Sequence, residues 1–180
     1  TTTSVKGETI NAWYSGKHRA PGGNVQAVMR PDGVPIAVSE AAPGHLHDLT
    51  VAREAGVAVG AHPGFPDLVG FGRREMRMAA QDVEDMVLYQ IGALAAIAKS
   101  EGVRLSHVKP HGALYNMAVT DKALAAAIGR AVVAFDPALI FFALPGSELA
   151  RAANGLGLHV AHEGFADRAY EPDGSLTPRS

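Results

Sequence analysis

The sequence of 180 residues predicts an α/β fold: parallel strands covered by helices. Two observations carry that prediction. Short apolar runs alternate with longer segments of helical period, and the connections between them are brief, which is the pattern of repeated strand–helix units. Three of the apolar runs also lead directly into stretches dense in Gly, Pro, His and charge. These are GAHPGFPDLVGFGRR at Gly60 to Arg74, HVKPHGALYN at His107 to Asn116, and EGFADRAY at Glu163 to Tyr170. Loops after parallel strands are where such folds build active sites, so three in succession indicate an enzyme.

The elements follow in order. Residues 1 to about 35 are polar and rich in Gly and Pro, with little periodicity. Pro35 to Val38 reads as a short strand. Leu46 to Ala55 reads as a helix ending at Gly56, a residue suited to the position after a helix. Val57 to Ala61 is a buried-strand pattern leading into the first motif. From Gln81 to Ser100 the apolar residues Val83, Met86, Ile91, Leu94 and Ile97 recur near helical spacing, and Gly102 stops the helix. Leu105 to Val108 is the next strand, and the second motif follows it as a loop. Thr120 is expected to cap an alanine-rich helix through Ala134, broken at Asp136-Pro137. Leu139 to Leu144 is a strand, Ser147 and Glu148 open a helix ending near Gly155, and Leu158 to Ala161 is the last strand.

Composition excludes several classes. A formal net charge of -2 and the absence of a basic cluster argue against nucleic acid as a partner. The chain has no cysteine, which removes disulfides and thiolate chemistry. No apolar run is long enough to span a bilayer and no signal peptide is evident at Thr1, so the expected setting is the cytoplasm. The length suits one domain, expected to cover residues 1–180. A homo-oligomer is compatible with all of this.

Parallel crossovers put all strand C-termini on one side, so the three motifs share a rim. Side chains alternate along strands. His62, Lys109, His111 and Glu163 are therefore expected to converge, and these four are the candidate catalytic residues. Each has a plainer reading. His62 would be a loop histidine bonded to backbone. Lys109 would be a structural ion pair with Glu163 or Asp167 rather than a cation aimed at a carboxylate, phosphate or oxyanion. His111 would be a packing histidine. His62 and His111 with Asp67 or Glu163 form a formal metal set, but the spacing matches no short metal motif, and no metal is assigned. Arg73 and Arg74 suit anion recognition or a solvated pair. Tyr115 and Asn116 are candidates to hold substrate or cap the loop. Asp167 and Arg168 are candidates for substrate contact or an ion-paired brace. No Gly-rich stretch matches a phosphate-binding P-loop.

The three motifs, YQIGAL at Tyr89 to Leu94, and DGSLTPR at Asp173 to Arg179 closely resemble the LamB/YcsF family, from about Asp48 to Arg179. The resemblance implies a distorted, TIM-like (β/α) barrel of the seven-stranded, glycoside hydrolase/deacetylase-like type. It implies cleavage of 5-oxo-L-proline to L-glutamate coupled to ATP hydrolysis, with ATP as co-substrate. The implied role is that of the A subunit of such a 5-oxoprolinase, beside partner subunits B and C. The family pattern departs before residue 48: Gly7-Glu8 and Ala12-Trp13 read as a remnant of its N-terminal acidic strand, with Thr1, Thr3 and Val5 where polar or acidic residues are expected, and nothing between Tyr14 and Leu46 reproduces its Cys-Gly-Phe-His-Ala-Gly-Asp-like motif. The pattern also continues beyond Ser180, so the barrel is expected to be incomplete. The alternatives are a metal-dependent amide or carbohydrate deacetylase on a related barrel, and a non-catalytic scaffold paralogue.

Overall fold

A computed structural model of the chain describes residues 56–165, 169–171 and 176–177. It also describes the backbone of residues 2–3, 9–10, 14–15, 20–21, 23–24, 27–29, 35–38 and 42–43. The chain divides into two compact units. One comprises residues 1–58 with 101–103, the other residues 59–100 with 104–180.

In the first unit the described backbone forms short antiparallel pairings. Thr2–Thr3 pairs with Thr9–Ile10, Tyr14–Ser15 with Ala20–Pro21, Gly23–Asn24 with Ala42–Pro43, and Ala27–Met29 with Pro35–Val38. The strand expected at Pro35 to Val38 is present. The helix expected over Leu46 to Ala55 lies outside the described residues.

The second unit is built on four parallel strands: β1 (Val59–Ala61), β2 (Leu105–Val108), β3 (Ile140–Ala143) and β4 (His159–His162). They lie side by side in sequence order. Strand β2 sets Val108 opposite Ala61 on one side and Phe141 on the other, and β3 sets Ala143 opposite His162. The ladder runs past the strand ends. Lys109 N–H donates to the Ala61 carbonyl at 2.9 Å, and Glu163 N–H to the Ala143 carbonyl at 3.1 Å. The residues just after β2 and β4 are thus held by backbone before any side chain acts.

Helices α1 (Ala80–Ser100), α2 (Gly112–Ala118), α3 (Lys122–Phe135) and α4 (Glu148–Gly155) fill the connections. Helix α1 buries Val83, Val87, Ile91 and Ala98 completely. That stripe is rotated from the expected one. Met86 and Leu94 flank it, and Ile97 is half exposed, because a step of seven from Ile91 returns to the buried face at Ala98 and a step of six does not. Helix α3 is capped one residue later than expected. Asp121, not Thr120, accepts from the Ala123 and Leu124 N–H groups at 2.9 and 3.0 Å. Ser147 caps α4 as expected, accepting from Ala150 N–H at 3.1 Å. The core joins Phe141 and Leu144 of the sheet side to Ile91, Leu114, Ile128 and Leu149 of the helices, all essentially inaccessible.

Helix α2 was not expected, because HVKPHGALYN reads as loop throughout. Pro110 and Gly112 conceal it. Gly112 sits at φ +58 and lets the chain turn from the strand end straight into a helix. A side chain there would bring its first carbon within 2.5 Å of the Gly72 carbonyl oxygen. Gly92, in contrast, lies inside α1 with open space where a Cβ would stand. Gly112→Ala should therefore destabilise the fold by about 2 kcal/mol or more, from left-handed backbone strain plus overlap with fixed backbone. Gly92→Ala should stabilise it by about 0.5–1 kcal/mol. Urea unfolding of both variants beside the parent checks the pair.

Candidate active site

The Pro63–Arg74 loop is built around one buried carboxylate. Asp67 is 5% exposed. Its Oδ1 accepts from the Gly70 N–H at 2.8 Å, and its carboxylate receives the Arg74 guanidinium through Nε and Nη2. Backbone bonds from Gly72 N–H to the Asp67 carbonyl and from Arg73 N–H to the Gly70 carbonyl, both at 3.0 Å, complete the turn. Phe71 and Gly72 take φ +56 and +68 to close it. The hydrogen-bonded Arg74 holds the Asp67 carboxyl down at about 2, overriding the opposing effect of burial.

A second fastening comes from α1. The side-chain amide of Gln90 accepts from the Gly64 N–H at 3.0 Å and donates to the Gly64 carbonyl at 2.8 Å. This gives a physical role to the YQIGAL segment. The sequence pattern alone does not mark Gln90 for this role. Both ends of the loop are tied in turn to the second motif: Ala113 N–H donates to the Gly72 carbonyl at 2.9 Å, and His111 N–H to the Pro63 carbonyl at 2.8 Å.

On this frame the four candidate catalytic side chains meet. Lys109 Nζ lies 2.5 Å from Glu163 Oε2. His62 Nδ1 lies 2.6 Å from the Lys109 carbonyl oxygen. His62 Nε2 lies 2.9 Å from His111 Nδ1, and His111 Nε2 lies 2.7 Å from the Phe71 carbonyl oxygen. Withdrawal from water lowers the pKa of His62 below its ordinary value, and the nearby His111 and Lys109 charges push the same way. The Lys109 carbonyl and the Glu163 carboxylate oppose this. Lys109 also stands 5.0 Å from the centre of the Phe165 ring, a cation–π distance.

The remaining candidates are arranged less uniformly. Tyr115 is buried on α2, with its hydroxyl beside the Glu163 carboxylate. Burial, and then the adjacent Glu163 carboxylate, raises the Tyr115 pKa, so its proton stays on. Asn116, one residue on, turns outward and is exposed. Arg74 is committed to Asp67. Arg73 is exposed, its guanidinium 5.9 Å from the Phe71 ring centre. Asp167 and Arg168 lie outside the described residues. Among the described residues no group of three His, Asp or Glu side chains is arranged to hold a metal ion.

His107 forms the floor. Its Nδ1 is 2.8 Å from Ser106 Oγ, which donates to the Val59 carbonyl at 3.1 Å. The ring packs edge-on to Phe142 and fills the space above Gly60, where any Cβ would overlap it. Burial and the Lys109 charge lower the His107 pKa. The arrangement as a whole offers a lysine ammonium, a carboxylate and two coupled imidazoles on one rim, which suits proton transfer and stabilisation of negative charge on a polar substrate.

Comparison with known proteins gives this site a context. The model of the LamB/YcsF family matches residues 45–180. A second model, described as DDE superfamily endonuclease, matches residues 2–70, less than half of the chain. Proteins named as the A subunit of 5-oxoprolinase are similar to it at 62% identity over 132 residues in Tolumonas auensis, 61% over 130 in Geobacillus kaustophilus and 55% over 132 in Bacillus subtilis. Those alignments cover 73%, 72% and 73% of this chain and 53%, 51% and 51% of the relatives. The chain thus spans about half the length of the curated relatives it matches. The crystal structure of a lactam utilization protein from Thermus thermophilus is similar with a TM-score of 0.70 and 56% identity, over 73% of this chain and 53% of that one. No described helix is long and apolar enough to cross a membrane.

Two outcomes follow from the loop. Gln90→Leu removes both partners of the half-buried Gly64 backbone and should cost about 1–3 kcal/mol, read by urea unfolding. The Asp67 carboxyl should titrate with a midpoint of about 2 by carbon NMR. Its folded value is depressed. The stabilisation it gives is therefore complete above the ordinary aspartate range and is lost as pH falls towards 2. A midpoint near 4 would mean that the Arg74 pairing is not kept in solution.

Proposed function

The chain belongs to the LamB/YcsF family, and from that membership we propose that it acts as the A subunit of an ATP-dependent 5-oxoprolinase. In this role it cleaves 5-oxo-L-proline to L-glutamate with partner subunits B and C. The observation that carries the reading is the 55–62% identity to proteins of that name. The name of the Thermus thermophilus relative, a lactam utilization protein, supports a lactam as substrate class. The four sequential parallel strands supply one side of a (β/α) barrel in this reading, and the three motif loops lie at the mouth of that side.

The chemistry suits the side chains. A five-membered lactam is a resonance-stabilised amide, and water adds to it slowly. Transfer of the γ-phosphoryl group of ATP to the amide oxygen leaves ADP and makes the ring carbon a better electrophile. Water then adds to that carbon and gives up a proton. The C–N bond breaks and the nitrogen takes a proton, which leaves an acyl phosphate; a second water hydrolyses it, releasing phosphate and leaving the side-chain carboxylate of glutamate. Lys109 offers a cation for charge developing on oxygen, and Glu163 is placed to accept the proton of water once substrate draws Lys109 away. Arg73 offers a cation for the substrate carboxylate. The chain has no P-loop sequence, so ATP is handled together with the partner subunits.

The chain purified with subunits B and C should form glutamate and phosphate from 5-oxoproline and ATP, whereas the chain alone should not. An intact complex with no turnover would overturn the reading. Lys109→Ala should lower turnover of the complex by roughly a hundredfold or more while sparing the fold. Lys109→Arg should restore it incompletely, because a planar fork replaces a point charge. If Lys109 only braces Glu163, the alanine variant will melt earlier and keep its activity per folded molecule.

A further inference from the structure

The hydrogen bonds of His62 and His111 fix how many protons the two rings hold. Their outer nitrogens, His62 Nδ1 and His111 Nε2, lie 2.6 and 2.7 Å from the carbonyl oxygens of Lys109 and Phe71. A carbonyl oxygen only accepts, so both outer nitrogens carry protons. The inner nitrogens, His62 Nε2 and His111 Nδ1, are 2.9 Å apart. With both rings neutral, two bare lone pairs would face each other at that distance. With both rings cationic, two N–H groups would. One proton between the inner nitrogens satisfies every contact, giving the pair three ring protons and one positive charge.

We propose that His62 and His111 act as one protonation unit whose single shared proton clasps the Pro63–Arg74 loop to the end of β2, so that closure of the loop depends on pH. The pair bridges the Phe71 carbonyl on the loop and the Lys109 carbonyl at the strand end, and its rings pack edge to face with centres 4.7 Å apart. The Phe71 ring adds a second edge contact to His111 at 5.3 Å. The charged groups around the pair are largely paired already. Lys109 and Glu163 face His62 and hold each other. The loop contributes the Asp67–Arg74 pair and Arg73. Helix α2 contributes Tyr115, which keeps its proton. The dyad thus supplies positive charge to a rim whose lysine is already neutralised.

Loss of the shared proton at high pH leaves acceptor against acceptor. Gain of a second proton at low pH sets donor against donor, and the lowered pKa of His62 accords with resistance to that step. Closure therefore strengthens as pH falls through the first step and weakens as pH falls through the second, because the open loop then binds two protons where the closed loop holds one.

Nitrogen NMR of the 180-residue chain, labelled at histidine and titrated from mildly alkaline to acid pH, tests this directly. The expected result is two steps separated by more than about one pH unit. In the state between them, His62 Nδ1 and His111 Nε2 are fully protonated and the inner nitrogens show intermediate shifts. Two histidines titrating together, as independent imidazoles do, would overturn the shared proton. Hydrogen exchange at the Ala113 amide, which bonds across to the Gly72 carbonyl of the loop, should be slowest between the two steps after correction for intrinsic rate. Exchange that ignores both steps would overturn the clasp. His111→Gln keeps a donor for the Phe71 carbonyl but cannot share a ring proton, so His62 should titrate in one step and the exchange minimum should vanish. A minimum that survives in this variant also overturns the clasp, and should the variant not fold, the parent titration still decides.

Discussion

An ammonium and a carboxylate meeting over the end of β3 organise this protein's rim. Lys109 follows β2 and Glu163 follows β4, so their contact spans a strand that lies between them. The contact depends on the ladder beneath it. Backbone bonds from Lys109 to Ala61 and from Glu163 to Ala143 carry the strand register one residue past each end and aim both side chains at the same space. A one-residue slip of either strand would turn its side chain to the other face. The same Lys109 residue serves the neighbouring loop through its carbonyl, which receives His62. One residue thus links three loops, with its backbone on one side and its charge on the other.

Most of the scaffold was legible because its signals are local and repetitive. Strand β2 has the expected limits, and β1, β3 and β4 differ by one or two residues at their ends. The convergence of His62, Lys109, His111 and Glu163 followed from parity and from the common direction of parallel strands. Three features were not legible, each for a physical reason. Helix α2 hides behind a proline and a left-handed glycine that read as loop. The commitment of Arg74 to Asp67 depends on a turn closed by two positive-φ residues, one of them Phe71, which sequence patterns do not anticipate. The Gln90 clamp joins positions 26 apart, and nothing local distinguishes that glutamine from one facing solvent.

Family membership and site geometry bear on the same part of the chain. The LamB/YcsF match begins at residue 45 and contains every residue of the rim, whereas residues 2–44 fall only within the match to the endonuclease model. The rim is therefore built wholly within the segment that carries the family resemblance. Its own construction separates jobs sharply. Asp67, Arg74 and Gln90 hold the loop in shape, the two histidines join it to the end of β2, and Lys109 and Glu163 are set by the strand ends.

The floor of the rim has a consequence for how this sequence can drift. His107 occupies the volume that a side chain at position 60 would need, and position 60 is glycine. The two sites share one space, so their substitutions are not additive. A larger residue at 60 needs the 107 ring to swing aside or shrink, while a smaller residue at 107 leaves a void that 60 could fill. Sequence change at this spot is therefore coupled: replacing the glycine displaces the histidine ring from its contacts with Ser106 and Phe142, so the two positions change most easily together.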